Sequence, residues 1–264
     1  MPGTAHAPGP ASSLRVGLLG ATRLITPSGE VCVIGSPRQR TVLAVLALHA
    51  GRTVTTEELI DEMWRDDVPQ KARNALQATI ARLRRSIRLD SAADRSGREV
   101  LVASGAGYLL MLEAGDVDAL RFQQLAQDGI RLVPSSPGKA VPILRQALAM
   151  WYGEALADAG NGPRCVAAAT HVEELRIAAE GQLMAAYIGN GEYGRAVAPL
   201  RELLAEHPER EDICRLLITA LRTSGRQAEA VTAYHRTRTW LARELGLMPS
   251  QSLEAAYLSA LHEP

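Results

Sequence analysis

The sequence has little of what would build a covalent framework, a metal site or a membrane span. Its three cysteines, Cys32, Cys165 and Cys214, are odd in number, far apart and without C-x-x-C spacing. That leaves no disulfide framework and no thiolate zinc site, and reads as buried thiols. The apolar stretch Leu43–Leu48 falls far short of the roughly 20 residues that cross a bilayer. The opening MPGTAHAPGPASS lacks the basic-then-apolar order of a secretory signal, so residues 1–13 read as a disordered leader and the protein as cytoplasmic.

Catalytic spacing is lacking too. His49, His171, His207 and His235 sit without a companion nucleophile or ligand at a useful distance, and Gly138-Lys139-Ala140 has neither the upstream glycine nor the following Ser/Thr of a phosphate loop. No enzyme activity, metal or cofactor is expected. A surplus of charge is also missing, since 29 Lys/Arg balance 29 Asp/Glu. The distribution is less even: residues 1–115 hold 14 basic against 11 acidic side chains, and residues 116–264 hold 15 against 18. With 264 residues, two domains are expected, each able to bury a core.

The positive charge is concentrated in one stretch. KARNALQATIARLRRSIR, from Lys71 to Arg88, has six basic side chains and no acidic one, with Leu76, Ile80, Leu83 and Ile87 at helical spacing. A charge run is most often a solvated face. Here Asn74, Gln77, Thr79 and Arg82 lie on or beside the polar side, and amides with arginine supply the bidentate groups that read base edges in a major groove. Thr79 could equally pack beside Leu76 and Leu83.

The neighbours of this helix give it a setting. Leu14–Ile25 and Val31–Ile34 have strand composition around the turn Thr26-Pro27-Ser28-Gly29. Ser36-Pro37 opens a helix that Gly51 ends, with Arg38 and Arg40 in a first turn where their charge opposes the helix dipole and suits an anionic ligand. Thr55 or Thr56 caps a second helix, with Glu58 placed for a capping box and Pro69 as its end. After the basic helix and the polar stretch Asp90–Glu99, VLVASGAGYLLML reads as a hairpin around Ser104-Gly105-Ala106-Gly107. From Asp116 onward the text is helical, and Leu183, Ala186, Gly191, Ala196 and Val197 recur at Leu217, Ala220, Gly225, Ala230 and Val231, an offset of 34. That is the period of tetratricopeptide-like helical hairpins. Trp151–Arg164 interrupts the pattern as an insertion. Trp64, Tyr108, Trp151, Tyr187, Tyr234 and Trp240 are scattered and read as packing residues, which favours double-stranded over single-stranded DNA.

Ile80-Ala81-Arg82-Leu83-Arg84-Arg85-Ser86-Ile87 and Gly105-Ala106-Gly107-Tyr108 resemble the recognition helix and wing of an OmpR-type winged helix. SPRQRTVLAVLALHAGRTVTTEELIDEMWRDDVP, MWYGEALAD, EELRIAAEGQL and LITALRTSGRQAEAVTAYHRTRTWLARELGLMPS resemble the Streptomyces antibiotic regulatory proteins, whose second half is a bacterial transcriptional activation domain. The resemblance implies a mainly α protein with a small α+β part: a winged helix-turn-helix over 14–112 and a tetratricopeptide-like all-α domain over 116–264. It implies Gln77, Thr79 and Arg82 on bases, Arg84 and Arg85 on phosphates, Arg38, Thr55 and Lys71 anchoring the DNA backbone, and Tyr108 positioned by the wing. Ser104 stands where wings of this type place arginine.

The resemblance further implies an activator that binds promoter repeats of a secondary-metabolite cluster as a dimer or tandem protomers and recruits RNA polymerase holoenzyme. Two other readings stay open on the residues alone: a helical scaffold or ligand sensor whose winged helix binds protein, and a repressor.

Overall fold

The computed structural model describes residues 14–90 and 100–261; the expected leader lies outside them. Two compact units emerge, one of residues up to Gln124 together with Met150–Glu174, the other of Leu125–Ala149 and Leu175 onward. The first unit is therefore larger than the expected 14–112, because it takes in a stretch from far down the chain.

The first unit opens with a three-stranded antiparallel sheet, β1 (Arg15–Gly17), β2 (Arg23–Ile25) and β3 (Val31–Val33). Gly29, at φ +87°, lets the turn close as its N–H donates to the Thr26 carbonyl at 2.9 Å. The continuous strand expected over Leu14–Ile25 is broken in two. The N–H groups of Leu18 and Leu19 turn away from any strand and donate to the Asp118 carboxylate at 2.6 and 3.4 Å. Their carbonyls accept from Leu156 and Tyr152 at 2.8 and 3.1 Å. Each polar backbone group is thus satisfied by a segment at least 99 residues away in sequence.

Tyr152 and Leu156 belong to the expected insertion, which proves to be a clasp on the sheet. The Tyr152 phenol donates to the Ala21 carbonyl at 3.2 Å, and its ring lies 3.4 Å beneath the Arg23 guanidinium. Asp158 accepts from Thr22 N–H at 2.7 Å and meets Arg40 at 3.1 Å. Arg40, expected to meet a ligand anion, is instead engaged by this internal carboxylate and by the carbonyls of Ile34 and Gly35. Farther along, Arg164 donates its backbone N–H to buried Glu62 at 2.6 Å and its guanidinium to Glu58.

Three helices follow the sheet: α1 (Pro37–Leu48), α2 (Thr56–Trp64) and α3 (Ala72–Asp90), each in contact with the other two. Between α1 and α2 a short strand, β4 (Thr53–Thr55), joins the hairpin β5 (Leu101–Ser104) and β6 (Gly107–Leu110) in the order β4–β6–β5. Three residues are too few to show alternation, so β4 left no sequence signal. α2 ends at Trp64, before Pro69, because Arg65 takes φ +50° and stops the α-helical ladder. Pro69 serves the next helix instead, its carbonyl accepting from Ala72 N–H at 3.0 Å.

The second unit is all helix. It comprises the end of α4 (Asp118–Leu132), α5 (Pro137–Leu148), the larger part of α6 (Pro163–Gly189), then α7 (Tyr193–Glu206), α8 (Glu211–Thr223), α9 (Gln227–Trp240) and α10 (Gln251–Leu261). The 34-residue offset recurs in the turn hydrogen bonds. Glu192 N–H donates to Tyr187 O at 2.8 Å and Arg226 N–H to Leu221 O at 2.9 Å, with Gly191 and Gly225 at φ +77° and +73°. These i to i−5 bonds around a left-handed glycine are Schellman closures. Ala196 and Ala230, both fully buried, give the close helix approach that the repeat requires.

Cys165 and Cys214 are buried, whereas Cys32 is only partly so. Burial, with Glu62 beside it, pushes the Cys165 thiol up to about 12, and burial pushes Cys214 up to about 11. Both stay protonated and unreactive at neutral pH.

Candidate nucleic-acid interface

α3 divides its residues cleanly between two faces. Leu76, Ile80, Leu83 and Ile87 are buried against α1 and α2, each contributing about 2 kcal/mol by leaving water. On the other side Arg73, Asn74, Gln77, Ala78, Ala81, Arg82 and Arg85 are exposed. This strip repeats at three- and four-residue steps, as a helix seated along a groove requires. The structure thus brings Asn74, Gln77, Arg82 and Arg85 to one surface and adds Arg73, Ala78 and Ala81, which sequence reasoning missed.

Two expected contacts move elsewhere. Thr79 is 5% exposed, and its hydroxyl donates to the Ala75 carbonyl at 2.8 Å; it flanks the core and does not face a base. Arg84 is half-buried, with its Nε–H on the Leu101 carbonyl at 2.9 Å. Its guanidinium ties α3 to the first wing strand and is not displayed toward phosphate. Sequence reasoning could not separate Arg84 from Arg85, because the partner is a backbone carbonyl 17 residues away.

The wing is held at both ends. The Ala106 carbonyl accepts the N–H and hydroxyl of Thr56 at 3.1 and 2.9 Å, and Thr53 donates to the Ser104 hydroxyl at 2.9 Å. Gly105 turns at φ +55°, while Gly107 lies so close to β4 that a Cβ would sit 1.9 Å from the Val54 carbonyl. The two glycines of the wing motif therefore have different reasons, one conformational and one steric. Tyr108 pairs with Val54 and Ala103 in mid-sheet, half-buried.

The remaining anchors lie at helix starts. Thr55 closes a full capping box, accepting from Glu58 N–H at 3.2 Å while the Glu58 carboxylate receives Thr55 N–H at 2.8 Å. The Thr55 N–H donated to that carboxylate, opposed by a smaller desolvation, holds the Glu58 carboxyl below its ordinary range, with help from the Thr55 hydroxyl and Arg164. The Thr55 side chain is accordingly engaged in capping, and what it can offer a phosphate is the α2 N-terminus it organises. Lys71 is exposed, its carbonyl receiving Ala75 N–H. Arg38 is exposed at the start of α1, 5.3 Å from the centre of the Trp64 ring. Arg73 pairs with Glu57, both well exposed, a contact of small energy in water.

Among the described residues no helix is long and apolar enough to cross a membrane, and no group of three or more acidic, histidine or cysteine side chains is placed to hold a metal. The surface offers instead a strip of donors and acceptors flanked by cations, and a braced hairpin.

Comparison with known proteins places the chain among transcriptional regulators. Residues 29–110 match the family "Transcriptional regulatory protein, C terminal", and residues 117–261 match the "Bacterial transcriptional activator domain". The transcriptional regulator RedD of Streptomyces coelicolor is 38% identical over 86% of this chain and 65% of its own length. The regulatory protein DnrI of Streptomyces peucetius is 34% identical over 83% and 80%. The regulatory protein AfsR of Streptomyces griseus is 35% identical over 95% of this chain but only 25% of its own. Among solved structures, Mycobacterium tuberculosis EmbR in complex with a low affinity phosphopeptide superposes with a TM-score of 0.87 at 32% identity, covering 94% of this chain and 65% of EmbR.

Proposed function

We propose that this chain, which belongs to the Streptomyces antibiotic regulatory protein family of transcriptional regulators, activates a secondary-metabolite gene cluster by binding direct repeats in its promoters and recruiting RNA polymerase holoenzyme. The observation that carries the reading is the exposed strip of α3, where Gln77, Arg82 and Arg85 share one face. With that helix in the major groove, Asn74, Gln77 and Arg82 address base edges, and Arg85, Lys71, Arg38 and the capped start of α2 address phosphates. Protomers bound in tandem on repeats about one helical turn apart present their recognition helices to the same side of the duplex. Polymerase is met from that side, in the cytoplasm, on the nucleoid.

The test is fluorescence anisotropy with promoter fragments of the cluster at several salt concentrations, followed by transcription in vitro with purified holoenzyme. Specific binding that weakens steeply with salt, and template-dependent stimulation, are expected. Salt-independent or absent binding defeats the DNA reading; binding with reduced transcript turns the activator into a repressor.

A further inference from the structure

The helical unit holds a cavity that DNA recognition does not use. It lies among α7, α8 and α9 and measures about 650 Å³, within the size range of clefts that enclose drug-sized molecules. Leu217 and Leu221 of α8, both buried, line it together with the half-buried Leu204 and Trp240. A second hollow of about 510 Å³ adjoins it, the two sharing Thr232, Arg236 and Trp240. Trp240 thus stands at a boundary between two open spaces and not inside a closed core.

The backbone at this point is irregular. After Trp240 the helix passes into a π-helical turn, Leu241–Leu245, and ends at Gly246 with φ +67°. Such turns are rare, occur mostly as single-turn bulges and are frequent at functional sites. This one carries Arg243 and Glu244 into the lining of the second hollow.

Charge around the opening is unequal. Arg226 and Arg201 both engage Glu229, and these pairs hold its carboxyl down at about 2. Arg243 lies 3.7 Å from Glu244. Arg236 lines both hollows and has no ion-pair partner among the described residues. An exposed guanidinium beside an indole, above a leucine floor, is complementary to a molecule with an apolar ring system and one acidic group. Neither hollow is lined by Asn or Gln, the side chains that hold a peptide backbone by donating and accepting at once.

We propose that this cavity is a binding site for an amphipathic small-molecule acid, its ring system seated against Leu217, Leu221 and Trp240 and its carboxylate met by Arg236. A bound acid of this kind stabilises the helical unit by mass action.

The full chain would be titrated calorimetrically with naphthoate and, in parallel, with its neutral isostere naphthamide. Saturable one-to-one binding of naphthoate is expected, about tenfold weaker for the amide and for Arg236→Gln. Binding should vanish in Ala205→Trp, which fills the space, with thermal unfolding of each variant confirming that it folds. Thr232→Trp, on the exposed side of α9, is the filling variant to use if Ala205→Trp does not fold. The proposal is overturned if naphthoate does not saturate, if acid and amide bind equally, if Arg236→Gln changes nothing, or if a leucine-rich acidic peptide binds where naphthoate does not. Promoter binding by the same samples reads the DNA interface separately, so failure here is distinct from failure there.

Discussion

The Arg40 guanidinium meets the carboxylate of Asp158 at 3.1 Å and, through the same Nε–H, the Asp158 backbone carbonyl, across 118 residues of chain. Both side chains are largely sheltered, at 18% and 26% exposure, so this pair is worth more than a surface ion pair. Asp158→Ala also orphans Thr22 N–H. A loss of about 2–3 kcal/mol is expected in urea unfolding. An unchanged midpoint would show that the clasp is held by Tyr152 and Leu156 alone.

Sequence preference and overall affinity should separate along α3. Arg82→Ala is expected to cost about 1–3 kcal/mol and to relax choice at one base pair, whereas Arg85→Ala weakens all sequences and lowers the salt slope by about one. Thr79→Val, at a buried site whose hydroxyl bonds within the helix, should alter stability while leaving the preferred sequence intact. A selection experiment with randomised duplexes reads all three.

For the wing, the two glycines should differ in an unexpected order. Gly105→Ala strains a left-handed residue by about 1 kcal/mol, with nothing within 4 Å of the added carbon. Gly107→Ala drives that carbon into the Val54 carbonyl, where backbone opposes backbone, and roughly 2–4 kcal/mol is expected. Arg84→Ala should leave the wing folded yet lower promoter affinity, because it releases Leu101 and not a phosphate. Equal melting temperatures for the two glycine variants would contradict this order.

Asp118 sets a pH dependence. Burial raises its carboxyl from 3.8 to about 6, against the opposing N–H donations of Leu18 and Leu19. A folded state that holds the proton more tightly than the unfolded one is favoured below the unfolded value, and that advantage is lost as pH climbs from about 4 through 6, up to about 3 kcal/mol in all. Asp118→Asn should remove this fall. The difference between parent and variant urea midpoints, measured from pH 4 to 7, isolates the effect; parallel curves would mean that the carboxyl titrates normally.

Features resting on near neighbours were legible in the sequence: the Thr55–Glu58 box, the Thr26–Gly29 turn, the buried stripe of α3, and the 34-residue repeat with Gly191 and Gly225. What escaped depends on partners far along the chain. Leu18 and Leu19 carry strand composition, yet Asp118 captures their N–H groups. Arg84 and Arg85 are chemically identical neighbours, and only the Leu101 carbonyl distinguishes them. Thr79 sits at the edge of its stripe, where periodicity alone does not decide between core and surface. Trp151–Arg164 matches no helical period because its conformation answers to the β1–β2 connection it grips.

That grip has a consequence for how the protein is made. Emerging from the ribosome, the first strands, three helices and wing precede by some distance the residues that satisfy Leu18, Leu19, Thr22 and Arg40. Closing so long a loop costs entropy before its contacts offset it. The DNA-reading unit therefore completes itself only after synthesis has passed Glu173, which accepts the Ala155 N–H at 3.0 Å. A gene fragment stopped at residue 113 would encode the recognition helix without the segment that finishes its fold.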